Sequence, residues 1–356
     1  MKRYGHGGDI FAFSQKTGFP AEKITDFSAS INPLGMSRFA RRAAKDALAL
    51  VHNYPEPFQA ELAGRIADHL GVNPRCVMPA NGSTELIYLL PRAFRPRTVL
   101  VQAPSFSEYE RAALVAGAAV KTVEGIRLDA GRFIDAMQGA EMAFLCNPNN
   151  PTGELVEKET VLEIAKEARR RKCLLAVDEA FMDFCPGKNS VCAEAGGGGN
   201  PYIAVLRSMT KFHALTGLRV GYIVCPPELR KKLLEYKEPW TINTPAARAA
   251  CAALEDAVHA KKTLLLVKKE KAFIERELKR LGVWFFPGAA NFYLIRLRRA
   301  KGLVERLFKK GVLLRDCSNY RGLAAPKGQG YIRFAVKGGR ENAMLMRGIE
   351  EWEKGD

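Results

Sequence analysis

Short apolar segments rich in β-branched residues alternate with amphipathic segments over the first two thirds of the chain. The apolar segments predict strands at 98–102, 142–146, 173–178, 202–207 and 219–224. Apolar residues at helical spacing predict helices at 83–94, 106–117 and 157–171. Strands that alternate with helices are typical of a mostly parallel sheet covered on both faces, which binds ligands at the carboxyl ends of its strands.

The pattern changes near residue 245. A long helical stretch is followed by apolar segments that predict strands at 291–297, 312–315 and 331–336, with helices between and after them. We therefore predict an α/β protein with a large domain and a smaller α+β C-terminal domain.

Composition narrows the possible functions. No apolar run is long enough to span a membrane, and the N-terminus lacks the apolar core of a signal peptide, so we expect a cytoplasmic protein. The net charge of +17 is compatible with nucleic-acid binding, but no recognition module is visible, and we expect a basic surface that attracts small anions. Eight cysteines without a Cys-x-x-Cys pair predict free thiols rather than disulfides or a metal site.

A lysine with an unusual setting follows the predicted strand at 202–207. Lys211 stands beside Ser208 and Thr210, and Arg219 lies between two glycines. A lysine amine can bond covalently to a carbonyl cofactor, and the hydroxyls with the guanidinium can grip a phosphate. On its own the segment is more typical of a surface lysine beside a structural arginine.

Three further segments carry polar groups at the ends of predicted strands or the start of a helix. The sequence Asn-Gly-Ser-Thr at 81–84 is compatible with an ordinary helix cap or with an anion site at a helix N-terminus. Asp178 ends an apolar strand, where a carboxylate can pair with a pyridinium nitrogen. The segment CNPNNPTG at 146–153 forms a rigid loop in which Asn150 is an available donor.

In this order and spacing, NGST, NPNNPTG, DEAF and SMTKxxxLxGLRxGY resemble the fold type I pyridoxal-phosphate enzymes, especially the class II aminotransferase group that includes histidinol-phosphate aminotransferase. The resemblance spans residues 24 to 350 and implies a sheet of the seven-stranded type. It also implies an N-terminal arm and substrate lid at 1–35, a large cofactor-binding domain at 36–245, a linking helix at 246–280 and a small domain at 281–356.

The resemblance assigns roles to individual residues. Lys211 is the expected cofactor lysine, Asp178 the partner of the pyridinium nitrogen and Asn150 the partner of the phenolate oxygen of pyridoxal 5′-phosphate. Tyr109, or alternatively Phe106, is expected to stack on the ring. Tyr54 matches a residue that reaches the phosphate from a neighbouring subunit, which implies a homodimer with shared active sites. The residues expected to surround the cofactor phosphate are Gly82, Ser83, Thr84, Ser208, Thr210 and Arg219.

Phe181 departs from the aminotransferase pattern. Aminotransferases of this group usually have a tyrosine there, whose hydroxyl bonds the phenolate oxygen, and a phenyl ring cannot donate that bond. The N-terminal YGHGGDIFAF and DFSASINPLG segments, with RDCSNYRGL near the C-terminus, resemble the threonine-phosphate decarboxylases of cobalamin biosynthesis. This resemblance implies decarboxylation of L-threonine O-3-phosphate to (R)-1-aminopropan-2-yl phosphate.

The same resemblance suggests a set of substrate-binding residues. They are His6, Gly7, Ser30, Asn150, Arg321 and Arg333. Which arginine takes the carboxylate and which the phosphate stays open. Ser30 stands where relatives have asparagine, and this shorter side chain suggests relaxed selectivity towards serine phosphate. Histidinol-phosphate aminotransferase activity, and a binding protein that keeps the fold without catalysis, are the alternative functions.

Overall fold

A computed structural model describes residues 5–185, 187 and 189–355 of the chain, and its largest sheet contains seven strands. The strands are β1 (Thr25–Asp26), β2 (Val77–Ala80), β3 (Thr98–Ala103), β4 (Ala119–Glu124), β5 (Met142–Cys146), β6 (Leu174–Asp178), β7 (Ile203–Ser208), β8 (Gly221–Val224), β9 (Trp284–Phe285), β10 (Phe292–Arg298), β11 (Val312–Leu313), β12 (Arg315–Asp316) and β13 (Gln329–Ala335).

The helices surround this sheet and a second, smaller one. They are α1 (Ile10–Thr17), α2 (Arg38–Asp46), α3 (Ala60–Leu70), α4 (Gly82–Phe94), α5 (Glu108–Val115), α6 (Ala130–Ala136), α7 (Lys158–Arg170), α8 (Cys192–Gly196), α9 (Pro227–Leu234), α10 (Thr244–Glu255), α11 (Ala257–Arg280), α12 (Ala300–Phe308) and α13 (Gly339–Glu353).

The large sheet has the strand order β2-β8-β7-β6-β5-β3-β4. β8 runs antiparallel to both of its neighbours, and the other pairs are parallel. The predicted mostly parallel sheet is therefore confirmed. Its strands are nearly continuous in apolar residues because both faces are covered: Leu100 packs into the core beneath α3, α7 and α10, while Val99 and Val101 pack beneath α4 and α5.

A small domain follows, built on a four-stranded antiparallel sheet of order β12-β13-β10-β9. Its apolar core lies against α11, α12 and α13 and includes Phe27 from the N-terminal segment. The short strand β1 pairs with β11 in parallel, and Ala335 N donates to Phe27 O at 2.8 Å. The N-terminal arm is therefore built into the small domain. Residues 1–4 of the predicted arm lie outside the described residues.

The predicted single linking helix at 246–280 is wrong, because the region contains two helices. α10 packs on α2 and α3 in the large domain, and α11 extends towards the small domain. They meet at Asp256, which leaves the helical conformation (φ −87°, ψ 69°) and accepts a hydrogen bond from His259 N at 2.9 Å. An aspartate that caps a new helix interrupts the old one without breaking the apolar periodicity.

Two sequence expectations about the whole chain can be compared with the structure. The eight cysteines are free thiols, as predicted. Among the described residues, no helix combines the length and apolar character needed to cross a bilayer.

Candidate active site

Three neighbouring strands of the large sheet end at the same edge. Asp178, the last residue of β6, lies beside Cys146 of β5, and Ser208 ends β7. A cavity of about 380 Å³ opens at this edge, between the large and small domains. Its lining includes the predicted residues His6, Gly7, Ser30, Ser83, Thr84, Phe106, Tyr109, Asn150, Asp178, Phe181, Ser208, Thr210, Lys211, Arg219 and Arg333.

Asp178 is the buried carboxylate of this cavity, with 3% of its surface exposed. Its Oδ2 accepts from the Tyr109 hydroxyl at 2.7 Å, and its Oδ1 accepts from Ala180 N at 2.9 Å. Burial raises the pKa of Asp178, while these two donors and the charge of Lys211 act in the opposite direction. The carboxylate is thus fixed in orientation and poised to hold a proton on a partner that faces it from the cavity.

Lys211 faces the same cavity from the turn after β7. Burial, together with the charges of Arg333 and Arg219, lowers the pKa of its amine to about 8, and Asp178 only partly offsets this effect. A lysine with this pKa carries a substantial neutral fraction near neutral pH, as a nucleophile must.

The start of α4 and Arg219 form a cradle for an anion. Asn81 makes no side-chain cap, so the first amide groups of the helix point towards the cavity without that partner. Gly82 has φ +73°, and a Cβ there would lie 2.7 Å from the Arg219 guanidinium, so only glycine allows this close approach. Of the two interpretations of 81–84, this geometry favours the anion site.

Hydroxyls complete this cradle on the side of β7. The Ser208 and Thr210 side chains hydrogen-bond to each other at 2.7 Å, and both are buried. A Cβ at Gly221 would lie 2.5 Å from Ser83 N, so β8 approaches the helix start as closely as the backbone allows. A helix N-terminus, two hydroxyls and a guanidinium form a donor set that fits the phosphate of pyridoxal phosphate.

Asn150 connects the cofactor side of the cavity to the small domain. Its Oδ1 accepts from Arg333 Nη1 and from the Tyr320 hydroxyl, the latter at 3.2 Å. The Asn150 amide NH₂ therefore serves as a donor at the cavity wall. Arg333 also donates to Ser28 O at 2.7 Å and is 6% exposed. These contacts fix the guanidinium beside Asn150 at the cavity wall.

The aromatic residues around the cavity divide into two kinds. The Tyr109 ring is stacked on Phe144 with centroids 5.0 Å apart, and its hydroxyl is used by Asp178. Phe106 is half-buried and meets Tyr109 edge-on at 5.7 Å. This placement favours Phe106 for stacking on a ligand ring, the alternative that the sequence left open. Phe181 packs edge-on against Phe292 and presents no donor to the cavity.

The N-terminal segment closes one side of the cavity. His6 Nε2 lies 2.8 Å from Glu108 Oε1, a buried carboxylate that also accepts from the Tyr88 hydroxyl. The His6 and Tyr88 contacts lower the pKa of Glu108 against the effect of burial. A Cβ at Gly7 would overlap Ser28 O, at 2.1 Å, so glycine lets the arm lie directly on the Ser28 segment.

Three predicted residues do not line this cavity: Gly82, which lies against Arg219 in the cradle, and Tyr54 and Arg321. Tyr54 is 85% exposed and contacts the Trp240 ring at 5.4 Å on the outer surface. Arg321 forms an ion pair with Glu110 at 2.6 Å and lies about half exposed beside a neighbouring cavity. A substrate role for Arg321 in the reaction cavity is therefore not favoured by its position.

Sequence reasoning missed Arg315, Tyr320 and Glu108. Arg315 lines the cavity because it pairs with Arg333 across β12 and β13, and directly opposed residues of antiparallel strands share a face. The segment LLRDCSNYR contained the signal for this arginine. Arg315 ends an apolar run and starts strand β12, whereas Arg321 follows in a loop.

Comparison with known proteins identifies the family. The sequence matches the family described as aminotransferase class I and II over residues 22–350. The chain belongs to this family. Pyridoxal 5′-phosphate is the cofactor of these enzymes, which confirms the cofactor predicted from sequence. The chain is also 33% identical to a threonine-phosphate decarboxylase of Salmonella typhimurium, over 97% of this chain and 95% of the relative.

Solved structures of two further relatives share the fold. A histidinol-phosphate aminotransferase from Clostridium acetobutylicum has 28% identity and a TM-score of 0.86, covering 94% of this chain and 100% of the other. An L-threonine-O-3-phosphate decarboxylase from Porphyromonas gingivalis has 25% identity and a TM-score of 0.84, covering 93% of this chain and 100% of the other. The type I fold predicted from the sequence motifs is therefore confirmed.

Proposed function

We propose that this chain catalyses the pyridoxal-phosphate-dependent decarboxylation of L-threonine O-3-phosphate, and so supplies (R)-1-aminopropan-2-yl phosphate for the nucleotide loop of cobalamin. The observation that carries the proposal is the meeting of Lys211 and Asp178 with two guanidiniums, Arg315 and Arg333, in one cavity. This arrangement suits an amino acid with two anionic groups. The match to a named decarboxylase along nearly the whole chain supports the choice of reaction.

When bound, the cofactor supplies an electron sink for the bond that breaks at substrate Cα. Asp178 is oriented by Tyr109 and Ala180 to hold a proton on the pyridine nitrogen. Lys211 would hold the cofactor through its amine, and its free Nζ would deliver the proton that replaces the lost carboxylate at substrate Cα.

The two arginines divide the substrate between them. Arg333 donates to Asn150, and its charge contributes to the lowered pKa of Lys211, so this guanidinium lies on the cofactor side of the cavity and suits the carboxylate. Arg315 lies on the neighbouring strand β12, directly opposite Arg333, and suits the phosphate. Anchoring both ends of the substrate selects the bond that stands perpendicular to the ring, and the carboxylate bond must take that position for decarboxylation.

Ser30 is the candidate for choosing between threonine phosphate and serine phosphate. Its hydroxyl is buried and has no hydrogen-bond partner among the described residues. An asparagine there would fill more of the cavity, so the serine suggests a broader preference. Comparing kcat/KM for both substrates, in the natural protein and in Ser30→Asn, tests this. A strong preference for threonine phosphate in the natural protein would remove the idea.

Histidinol-phosphate aminotransferase is the second candidate, supported by the structural relative of that name. The two functions differ in product. The purified, cofactor-loaded protein is incubated with O-phospho-L-threonine without a keto acid, and carbon dioxide is measured. Release of carbon dioxide that disappears in Lys211→Ala supports the decarboxylase. Activity only with histidinol phosphate and a keto acid contradicts it, and absence of any turnover favours a binding protein.

A homodimer with shared active sites is part of the proposal. Tyr54, Val51, Phe58 and Trp240 are exposed apolar or aromatic side chains in nearby segments, and exposed apolar patches mark interaction surfaces. In a dimer, Tyr54 would reach the cofactor phosphate of the neighbouring subunit. Sedimentation at several concentrations measures the assembly, and Tyr54→Phe should weaken cofactor binding. A monomer with unchanged cofactor affinity in Tyr54→Phe would refute the shared site.

A further inference from the structure

A second cavity adjoins the reaction cavity and has a volume of about 540 Å³. Phe106, Arg315 and Tyr320 line both cavities and form the partition between them. The remaining wall comes from the end of β3, the loop after it, the first turn of α5, β4 and the small-domain loop after β12. The residues that carry its chemistry are Gln102, Ser105, Thr122, Asn319 and Arg321.

Gln102 is the unexplained group in this wall. It is 2% exposed, and neither its amide oxygen nor its amide nitrogen has a hydrogen-bond partner among the described residues. Leaving a buried amide unpaired costs stability, and native proteins therefore pair nearly all such groups. A ligand that hydrogen-bonds to the Gln102 amide from within the cavity would explain why the chain itself provides no partner.

The charges around the cavity indicate which partner. Two guanidiniums, of Arg315 and Arg321, and one carboxylate, of Glu110, line the cavity, so these three residues together carry a net charge of +1. Glu110 is paired with Arg321. The side-chain hydrogen bonds of Arg315 go to neutral acceptors, the Asp316 carbonyl and Asn319 Oδ1. An anion with several acceptor oxygens matches the Arg315 guanidinium together with the Gln102 amide NH₂.

We propose that this second cavity binds phosphate monoesters through Gln102 and Arg315, and that it holds the substrate on its way to the reaction cavity. Arg315 stands on the partition, so the same guanidinium serves a phosphate on either side. The assignment to the substrate rests on the proposed function, whereas an anion site in this cavity does not.

The test counts anions on the cofactor-loaded enzyme. Inorganic phosphate is titrated in equilibrium dialysis, with two sites per chain expected in the natural protein and one in Gln102→Leu. The leucine variant removes an unpaired buried amide and keeps the side chain's approximate size, so its thermal midpoint should not fall. Thr122→Val, which removes one hydroxyl from the same wall, should weaken the second site. Gln138→Leu, on a surface outside both cavities, is the matched control.

Kinetics with O-phospho-L-threonine tests the passage. Losing hydrogen bonds to the incoming phosphate should lower kcat/KM about threefold to tenfold in Gln102→Leu and leave kcat within about twofold. One phosphate per chain in both the natural protein and Gln102→Leu would overturn the site. If the natural protein binds two phosphates and Gln102→Leu binds one, but kcat/KM is the same in both, the cavity does not hold substrate on its way to the reaction cavity. Failure of the natural protein to release carbon dioxide would refute the proposed function, whereas the loss of one phosphate in Gln102→Leu would still support the second site.

Discussion

The lowered pKa of Lys211 gives a prediction that can be measured without any substrate. Its amine moves from an ordinary value of 10.5 to about 8, which corresponds to about 3 kcal/mol of preference for the neutral form. At pH 7, about one tenth of the amine is then neutral, compared with about 0.03% for an unshifted lysine. The apoenzyme should therefore incorporate pyridoxal phosphate rapidly near neutral pH.

The expected pH profile follows from the direction of the shift. Incorporation needs the neutral amine, so its rate constant should rise with pH and level off above an inflection near 8. Arg333 contributes to the shift by repulsion, so Arg333→Met should move the inflection to higher pH and lower the rate at pH 7. The assay is stopped-flow absorbance of the bound cofactor between pH 6 and pH 10, at constant ionic strength.

Arg296→Met is the matched control for this experiment. Arg296 lies on β10, stacks over Trp284 at 5.1 Å and does not line the reaction cavity, so its loss should leave the inflection in place. An inflection near 10 in the natural protein would show that burial and the two arginines do not depress the amine. An unchanged inflection in Arg333→Met would show that this guanidinium is not a cause.

Three further substitutions test other contacts of the site. Tyr109→Phe leaves Asp178 Oδ2 without its donor and should lower the apoenzyme's unfolding free energy by about 1–3 kcal/mol in denaturant titrations; an unchanged midpoint would argue against the bond. Glu108→Gln weakens the contact that holds His6 over the cavity, so KM for phosphothreonine should rise about threefold to tenfold with little change in kcat. An equal fall in kcat and in kcat/KM would contradict a role of Glu108 in holding the arm. Gly82→Ala introduces a side chain at φ +73° against a guanidinium and should cost about 1–2 kcal/mol in stability and weaken cofactor binding in fluorescence titrations, whereas unimpaired binding would exclude the proposed cradle.

Much of the fold follows from the sequence because the central strands are apolar on both faces. β5 was predicted at its observed bounds, and β6 and β7 within one residue. The edge strands β2 and β4 were missed for physical reasons. β2 contains Pro79, which predicts a break, and β4 has exposed charged positions at Lys121 and Glu124 because one of its edges has no neighbouring strand.

The site was predictable where each residue belongs to a local motif. Asp178 ends a predicted strand, Asn150 and Lys211 follow two others, and all three line one cavity. Arg315 was not predictable in this way, because its direction depends on pairing with β13, which is contributed by a segment more than a dozen residues away. The choice between Tyr109 and Phe106 likewise depends on which face each ring turns to its neighbours.

The pairing of β1 with β11 has a consequence for how reaction specificity is controlled. Phe27 and Ser28 attach the N-terminal arm to the small domain, which carries Arg315 and Arg333. Lys211 and Asp178 belong to the large sheet and the turn after it. Asn32 then fastens the chain back to that sheet through Lys211 O, at 3.0 Å. The two arginines and the two residues Lys211 and Asp178 are thus carried by different sheets, and Asn32 is one of the contacts that join them. A small rotation between the two sheets would turn a different bond of a bound amino acid towards cleavage, so the packing of the domains offers a route to a new chemistry alongside exchanges such as the one at Phe181.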